Sequence, residues 1–138
     1  MKKIIYILFI AVVAISFMGC PTVYKDRDYD CLPVGDIAGN MDGWSGTAVT
    51  EIPGVSGGLK TASITATADN FEFKLRVVAG QWAGDYGFAA VKAGKLPDGV
   101  ELVDAGGNVK LTGIKVGSAY HFEFVTVAPT IEVNLFED

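Results

Sequence analysis

Phe71-Glu72-Phe73-Lys74-Leu75-Arg76-Val77 decides the fold. Apolar and charged residues alternate without a break, so a period of two puts Phe71, Phe73, Leu75 and Val77 on one face. Glu72, Lys74 and Arg76 take the other, as in a strand with one buried and one wet side. The same alternation returns in Tyr120-His121-Phe122-Glu123-Phe124 and in Ile131-Glu132-Val133-Asn134-Leu135. Thr61 to Thr67 is rich in β-branched residues. Leu32 to Ile37, Tyr86 to Val91, Val100 to Val103 and Val109 to Thr112 are shorter strand candidates. Asp69-Asn70 and Ala105-Gly106-Gly107-Asn108 are turn signals between them. Gly and Pro recur every few residues after Cys31, and no helical period survives between them. Sheets that are apolar on one side must bury each other, which predicts an all-β sandwich of about seven to nine strands.

The N-terminal block is different in kind. Lys2 and Lys3 precede an uncharged apolar run from Ile4 to Met18, and Gly19-Cys20 follows. A short basic segment, an apolar run and a small residue before a cut are the three parts of a secretory signal. The run is shorter than the roughly 20 residues that span a bilayer as a helix. Phe17-Met18-Gly19-Cys20 looks like a bacterial lipobox, with Cys20 acylated as the new N-terminus. The alternative is ordinary cleavage nearby, leaving Cys20 to pair with Cys31. On the first reading Cys31 is a leftover, buried thiol. The predicted organisation is a signal peptide over residues 1–19, a lipidated N-terminus and tether over 20–31, and one β-sandwich over 32–138. Val23 and Tyr24 could instead supply an edge strand. Pro21 after the cysteine points to the outer membrane.

The whole chain has a net charge of −5. Loss of residues 1–19 removes two of its eleven basic residues and none of its sixteen acidic ones. An acidic domain without a Lys/Arg cluster argues against nucleic acid as a partner. Catalysis has little to build on. The single histidine, His121, falls on an outer strand face, and no Ser or Cys sits in a nucleophile elbow. No cofactor is expected, and one His with one spare Cys makes zinc a poor fit. Asp36, Asn40 and Asp42 offer calcium-type oxygens, but turn-forming polar residues explain that cluster more simply.

Loop aromatics carry the functional signal. Trp44 lies in Asn40-Met41-Asp42-Gly43-Trp44-Ser45-Gly46, and Trp82 and Tyr86 lie in Gly80-Gln81-Trp82-Ala83-Gly84-Asp85-Tyr86-Gly87. A loop indole either plugs the end of a sandwich or stays available for a ligand. A sugar ring offers a C–H face to stack on it, and Asn40, Asp42, Gln81 and Asp85 stand near enough in sequence to meet the hydroxyls. Lys74 and Arg76 could donate to hydroxyls as well, or form a solvated face.

Five segments in order resemble the C-terminal carbohydrate-binding modules of SusE/SusF-type starch-binding outer-membrane lipoproteins. They are Val34-Gly35-Asp36 with Gly43-Trp44, Phe71 to Arg76, Trp82 with Asp85-Tyr86-Gly87, Gly106-Gly107-Asn108-Val109-Lys110, and Gly117-Ser118-Ala119-Tyr120-His121-Phe122. The resemblance runs from Leu32 to about Phe136. It implies an immunoglobulin-like β-sandwich, a lipid anchor at the cell surface, and malto-oligosaccharide or related polysaccharide binding without catalysis. It also implies other outer-membrane uptake proteins as partners, and Trp44, Trp82, Tyr86 and Asn108 as ligand-binding residues. The other class of function open to this chain is a structural or adhesive lipoprotein that binds a protein through a sheet edge or loops.

Overall fold

A computed structural model describes residues 31–127 and 129–138. The predicted signal peptide, the lipidation site Cys20 and almost all of the tether therefore lie outside the described residues. Among the described residues no helix is long and apolar enough to cross a membrane.

The chain folds as two packed β-sheets, as its alternation requires. Eleven strands are formed among the described residues: β1 (Asp36–Gly39), β2 (Thr47–Ala48), β3 (Thr50–Glu51), β4 (Gly58–Lys60), β5 (Ile64–Thr65), β6 (Asn70–Arg76), β7 (Val91–Ala93), β8 (Glu101–Ala105), β9 (Asn108–Thr112), β10 (Ala119–Val125) and β11 (Ile131–Glu137). The first sheet has the order β2-β1-β6-β9-β8, and the second β3-β4-β10-β11-β7 with β5 also paired to β10. All pairings are antiparallel except β7 with β11. The count exceeds the expected seven to nine because β2, β3 and β5 are two-residue strands that hydrophobic alternation is too short to reveal.

The three long strands bury the residues that their period selects. Phe71, Phe73 and Leu75 of β6 face Tyr120, Phe122 and Phe124 of β10 and Ile131, Val133 and Leu135 of β11 across the core, all at most 2 % exposed. Phe122 stands edge-on to Phe71 and Phe73, with ring centroids 5.3 and 5.1 Å away, and stacks on Phe124 at 5.7 Å. Edge-to-face contacts add about 0.5–1.5 kcal/mol each beyond burial, so this cluster welds the sheets. The β8–β9 hairpin turns at Gly106 and Gly107, both at positive φ (65° and 97°), the geometry a two-residue primed turn demands.

Several sequence expectations need correction. Thr61 to Thr67 is not one strand. Only Ile64–Thr65 pairs with β10, while the buried Thr61 hydroxyl accepts the Phe122 N–H at 3.1 Å and replaces a ladder bond. Leu32 to Ile37 begins pairing in the first sheet at Asp36, and Tyr86 to Val91 is mostly a short 3-10 turn, Phe88–Ala90, before β7. The Gly-rich segment between Glu51 and Gly58 closes the β3–β4 hairpin at the edge of the second sheet. Cys31 is disulfide-bonded, not a leftover thiol. It sits at a bridge to Val127 where the domain begins.

Candidate functional site

Two loops carry the tryptophans, and a buried ion pair joins them. Asp36 opens β1 and Arg76 closes β6, directly opposite in register. Arg76 Nε and Nη2 donate to the two carboxylate oxygens of Asp36 at 2.7 and 2.5 Å, with the side chains 2 % and 7 % exposed. Each partner also holds one loop. Arg76 Nη2 donates to the Ser45 carbonyl (2.8 Å) in the β1–β2 loop. Asp36 Oδ2 accepts the Gly80 N–H (3.1 Å) in the β6–β7 loop. The guanidinium is held above its ordinary pKa, first by its hydrogen bond to Asp36; burial works against this, and the charges of Asp36 and Asp42 add to it. Gly46 is required here. It sits at φ +117°, and a Cβ would collide with Arg76 Nη2 and Asp36 Oδ2.

Trp44 and Trp82 meet above this pair. Their ring centroids are 6.2 Å apart with planes at 43°, so they form an angled pair, not a flat platform. The Arg76 guanidinium lies 4.8 Å from the centroid of the Trp82 ring, a cation–π contact. Even so, Trp82 keeps 45 % of its surface exposed, and Trp44 is half-buried. Trp44 is the one described non-glycine residue at positive φ (65°), next to Gly43 in the same conformation. That backbone costs an L-residue about 1–2 kcal/mol. Trp44→Gly is therefore expected to be more stable than Trp44→Ala by about 1 kcal/mol in urea unfolding, against the usual order of those residues. An alanine variant as stable as the glycine one would mean that the loop carries no strain.

The remaining candidates divide. Asn108 shares the outer face of the first sheet with Arg76, beside the Phe73–Val109 pair, but its amide donates to Glu72 Oε1 at 2.9 Å. Tyr86 does not join the indoles. It bridges Leu75, exchanging backbone bonds of 3.1 and 2.7 Å, and so takes the inward direction of its partner. Its ring packs against the core, and burial pushes the phenol pKa up. Neighbouring Asp85 points the other way, into an ion pair with Lys74 at 2.9 Å.

The polar residues expected to meet a ligand mostly hold the loops. Asn40 Nδ2 donates to Asn70 at its carbonyl (3.1 Å) and Oδ1 (3.0 Å), and Asn40 Oδ1 accepts the Glu72 N–H at 3.1 Å. Asp42 accepts from the Gly39 N–H at 3.2 Å and the Thr47 hydroxyl at 2.7 Å. With Asp36 engaged by Arg76 and Gly80, the three oxygen residues weighed for calcium serve as loop anchors. Gln81, exposed beside Trp82, and the rim pairs Lys74–Asp85 and Glu72–Asn108 remain nearest to solvent.

No family model matches this chain, and no curated protein or solved structure does. The geometry of this sheet end is thus what speaks to function. Sequence reasoning found both tryptophans but missed the ion pair that unites them, although Asp36 and Arg76 each ended one of the segments quoted for the resemblance. The signal was available in one form: an acidic residue at the start of one strand candidate and a basic residue at the end of another.

Proposed function

We propose that this chain is an exported, non-catalytic glycan-binding module that presents the Trp44–Trp82 pair to malto-oligosaccharides or a related polysaccharide. The observation that carries the reading is the exposed Trp82 indole, held on a buried Asp36–Arg76 pair and set against a strained Trp44. Leaving an indole wet forfeits burial energy, and backbone strain concentrates at binding sites. Stacking on the indole would supply affinity, while Gln81, Lys74, Asp85 and Asn108 would orient hydroxyls at the rim. The five-segment resemblance supports the same reading and adds its setting: a lipid-anchored outer-membrane protein at the cell surface, working with uptake proteins of that membrane.

Both tryptophans of the chain lie in this cluster, so intrinsic fluorescence reports on it directly. Titration with malto-oligosaccharides is expected to change the emission with saturation, and Trp82→Ala is expected to weaken binding by about 5- to 150-fold, taking the ~1–3 kcal/mol of a nucleobase stacked on an aromatic side chain as the scale. An unresponsive wild-type protein across soluble glucans removes the starch version. The second reading, a protein partner, draws on Val78, which is 50 % exposed on the same loop as Trp82 and extends its apolar surface.

Export is supported by the N-terminal pattern and by the disulfide at Cys31, because such bonds persist outside the reducing cytosol. Cys20 is the only other cysteine of the chain. One sulfur cannot carry both a thioether-linked lipid and a disulfide. A disulfide between the two cysteines and acylation of Cys20 are therefore alternatives within one chain. Intact mass separates the two forms, since an acylated chain is heavier and partitions into detergent.

A further inference from the structure

At the far side of the sandwich, on the outer face of the second sheet, His121 of β10 stands between two carboxylates. Its Nδ1 is 2.6 Å from Asp138 Oδ1, and its Nε2 is 3.2 Å from Glu123 Oε1. The ring stacks on Phe136 of β11, with centroids 5.2 Å apart and planes at 19°. Asp138 is gripped from two further directions. The Ser63 hydroxyl donates to its Oδ2 at 2.7 Å, and its own N–H donates to the Ala119 carbonyl at 2.8 Å. Three segments thus converge on one imidazole: β10, the end of β11, and the stretch between β4 and β5.

A neutral imidazole has one N–H and one lone pair. With a carboxylate at each nitrogen, either tautomer must point a lone pair at an anionic oxygen. Only the imidazolium donates to both. The other charges around it are few. Lys60 of β4 stands opposite Glu123 in register, and Glu137, opposite Tyr120, is engaged by Lys115 at 3.4 Å. Neither Ile64 nor Thr65 of β5 titrates.

We propose that His121 is a pH-sensitive clasp, which when protonated fastens the end of β11 to β10 and to Ser63, and which releases that end as the ring loses its proton. Burial alone would pull the imidazole pKa down, but the hydrogen bonds and charges of Asp138 and Glu123 outweigh it, so the net shift is upward. A raised pKa makes a stabilising contribution that is complete below the unfolded value of about 6.5 and is lost as pH rises through the folded value. Asp138 is shifted the other way, first by the Ser63 hydroxyl and then by His121. Its contribution is present above the unfolded carboxylate value and is lost as pH falls through the depressed one. The clasp is therefore tightest in mildly acidic solution and opens on the alkaline side.

The chain has one histidine, so its imidazole resonances need no assignment. NMR titration of the exported protein is expected to give a midpoint above about 6.5. Hydrogen exchange at the Phe136 and Asp138 amides, which face β10 in the ladder, corrected for intrinsic rates, is expected to accelerate severalfold between about pH 6 and pH 8.5, the range in which His changes charge. In His121→Gln that pH dependence should vanish, and in Asp138→Asn the midpoint should fall. Should the glutamine variant not fold, the titration and exchange of the wild type and of Asp138→Asn still decide the matter. A midpoint at or below the ordinary value, or exchange at these amides that ignores pH, overturns the proposal.

Discussion

Replacing Asp36 with alanine is expected to destabilise the domain by about 3–5 kcal/mol, the range found when one partner of a buried ion pair is removed. Arg76 would keep its positive charge with 2 % of its side chain exposed and would lose the donor–acceptor pair that compensates burial. The loss would not stop at the pair. The Gly80 N–H would lose its acceptor, and Arg76 would have less reason to stay under Trp82 and beside Ser45. The two loops should therefore separate, and the tryptophan emission should shift before the urea midpoint is reached. Replacing both members, Asp36→Ala with Arg76→Met, removes the stranded charge and should recover part of the loss. A cost below about 1 kcal/mol for Asp36→Ala would place the pair in the class of solvent-screened surface bridges and would deny it the role of joining the loops.

The same pair shows where sequence reading reaches and where it stops. Pleating imposes a period of two, so Phe71, Phe73 and Leu75 were legible as core, as were Tyr120, Phe122, Phe124, Ile131, Val133 and Leu135. The Gly106-Gly107 turn was legible because both residues need positive φ. Arg76 was illegible for a physical reason. It occupies an outward position of β6, and outward normally means wet, but the loops bearing Ser45 and Gly80 fold back over it. Asn134 is the counterpart in β11: an outward residue by period, yet 6 % exposed because its Oδ1 accepts the Lys95 N–H at 2.7 Å and its amide reaches the Glu123 carbonyl. Tyr86 departs in the opposite sense, since its inward direction follows from a bridge to Leu75 across the loop after β6, which no local pattern shows. In the candidate site, then, residue types were readable while their pairings were not. The bonds of Asp36 and Arg76 that join the two loops link residues 31 to 44 apart.

This division has a consequence for evolution of the surface. Trp82 touches the scaffold through Arg76 and Trp44, and much of its ring is exposed. Its removal should cost little stability, and on the proposed role should weaken glycan binding far more. Asp36 and Arg76 have the opposite profile, because their work is to hold both loops in place. If the proposed glycan-binding role holds, ligand preference can change at Trp82 and Gln81 while the ion pair keeps the loops in register.

Phe122→Ala is expected to cost about 3–5 kcal/mol, the usual range for an aromatic-to-alanine change in a core. Phe122 belongs to β10 in the second sheet, yet two of its three ring neighbours, Phe71 and Phe73, belong to β6 in the first. Truncation therefore opens a cavity at the seam between the sheets. Backbone relaxation there is limited, because the Phe122 N–H is bound to the Thr61 hydroxyl and its carbonyl accepts the Thr61 N–H at 3.0 Å. These bonds pin β10 within its own sheet, so it cannot sink toward β6 to fill the space the ring leaves, which favours the upper part of the range. Phe122→Leu, which keeps most of the volume, should cost under about 2 kcal/mol. Chemical denaturation of the two variants tests the ordering. If Phe122→Ala and Phe122→Leu lose the same small amount, the sheets are not joined by this aromatic cluster, and the rigid end on which Trp44 and Trp82 are mounted must have another source.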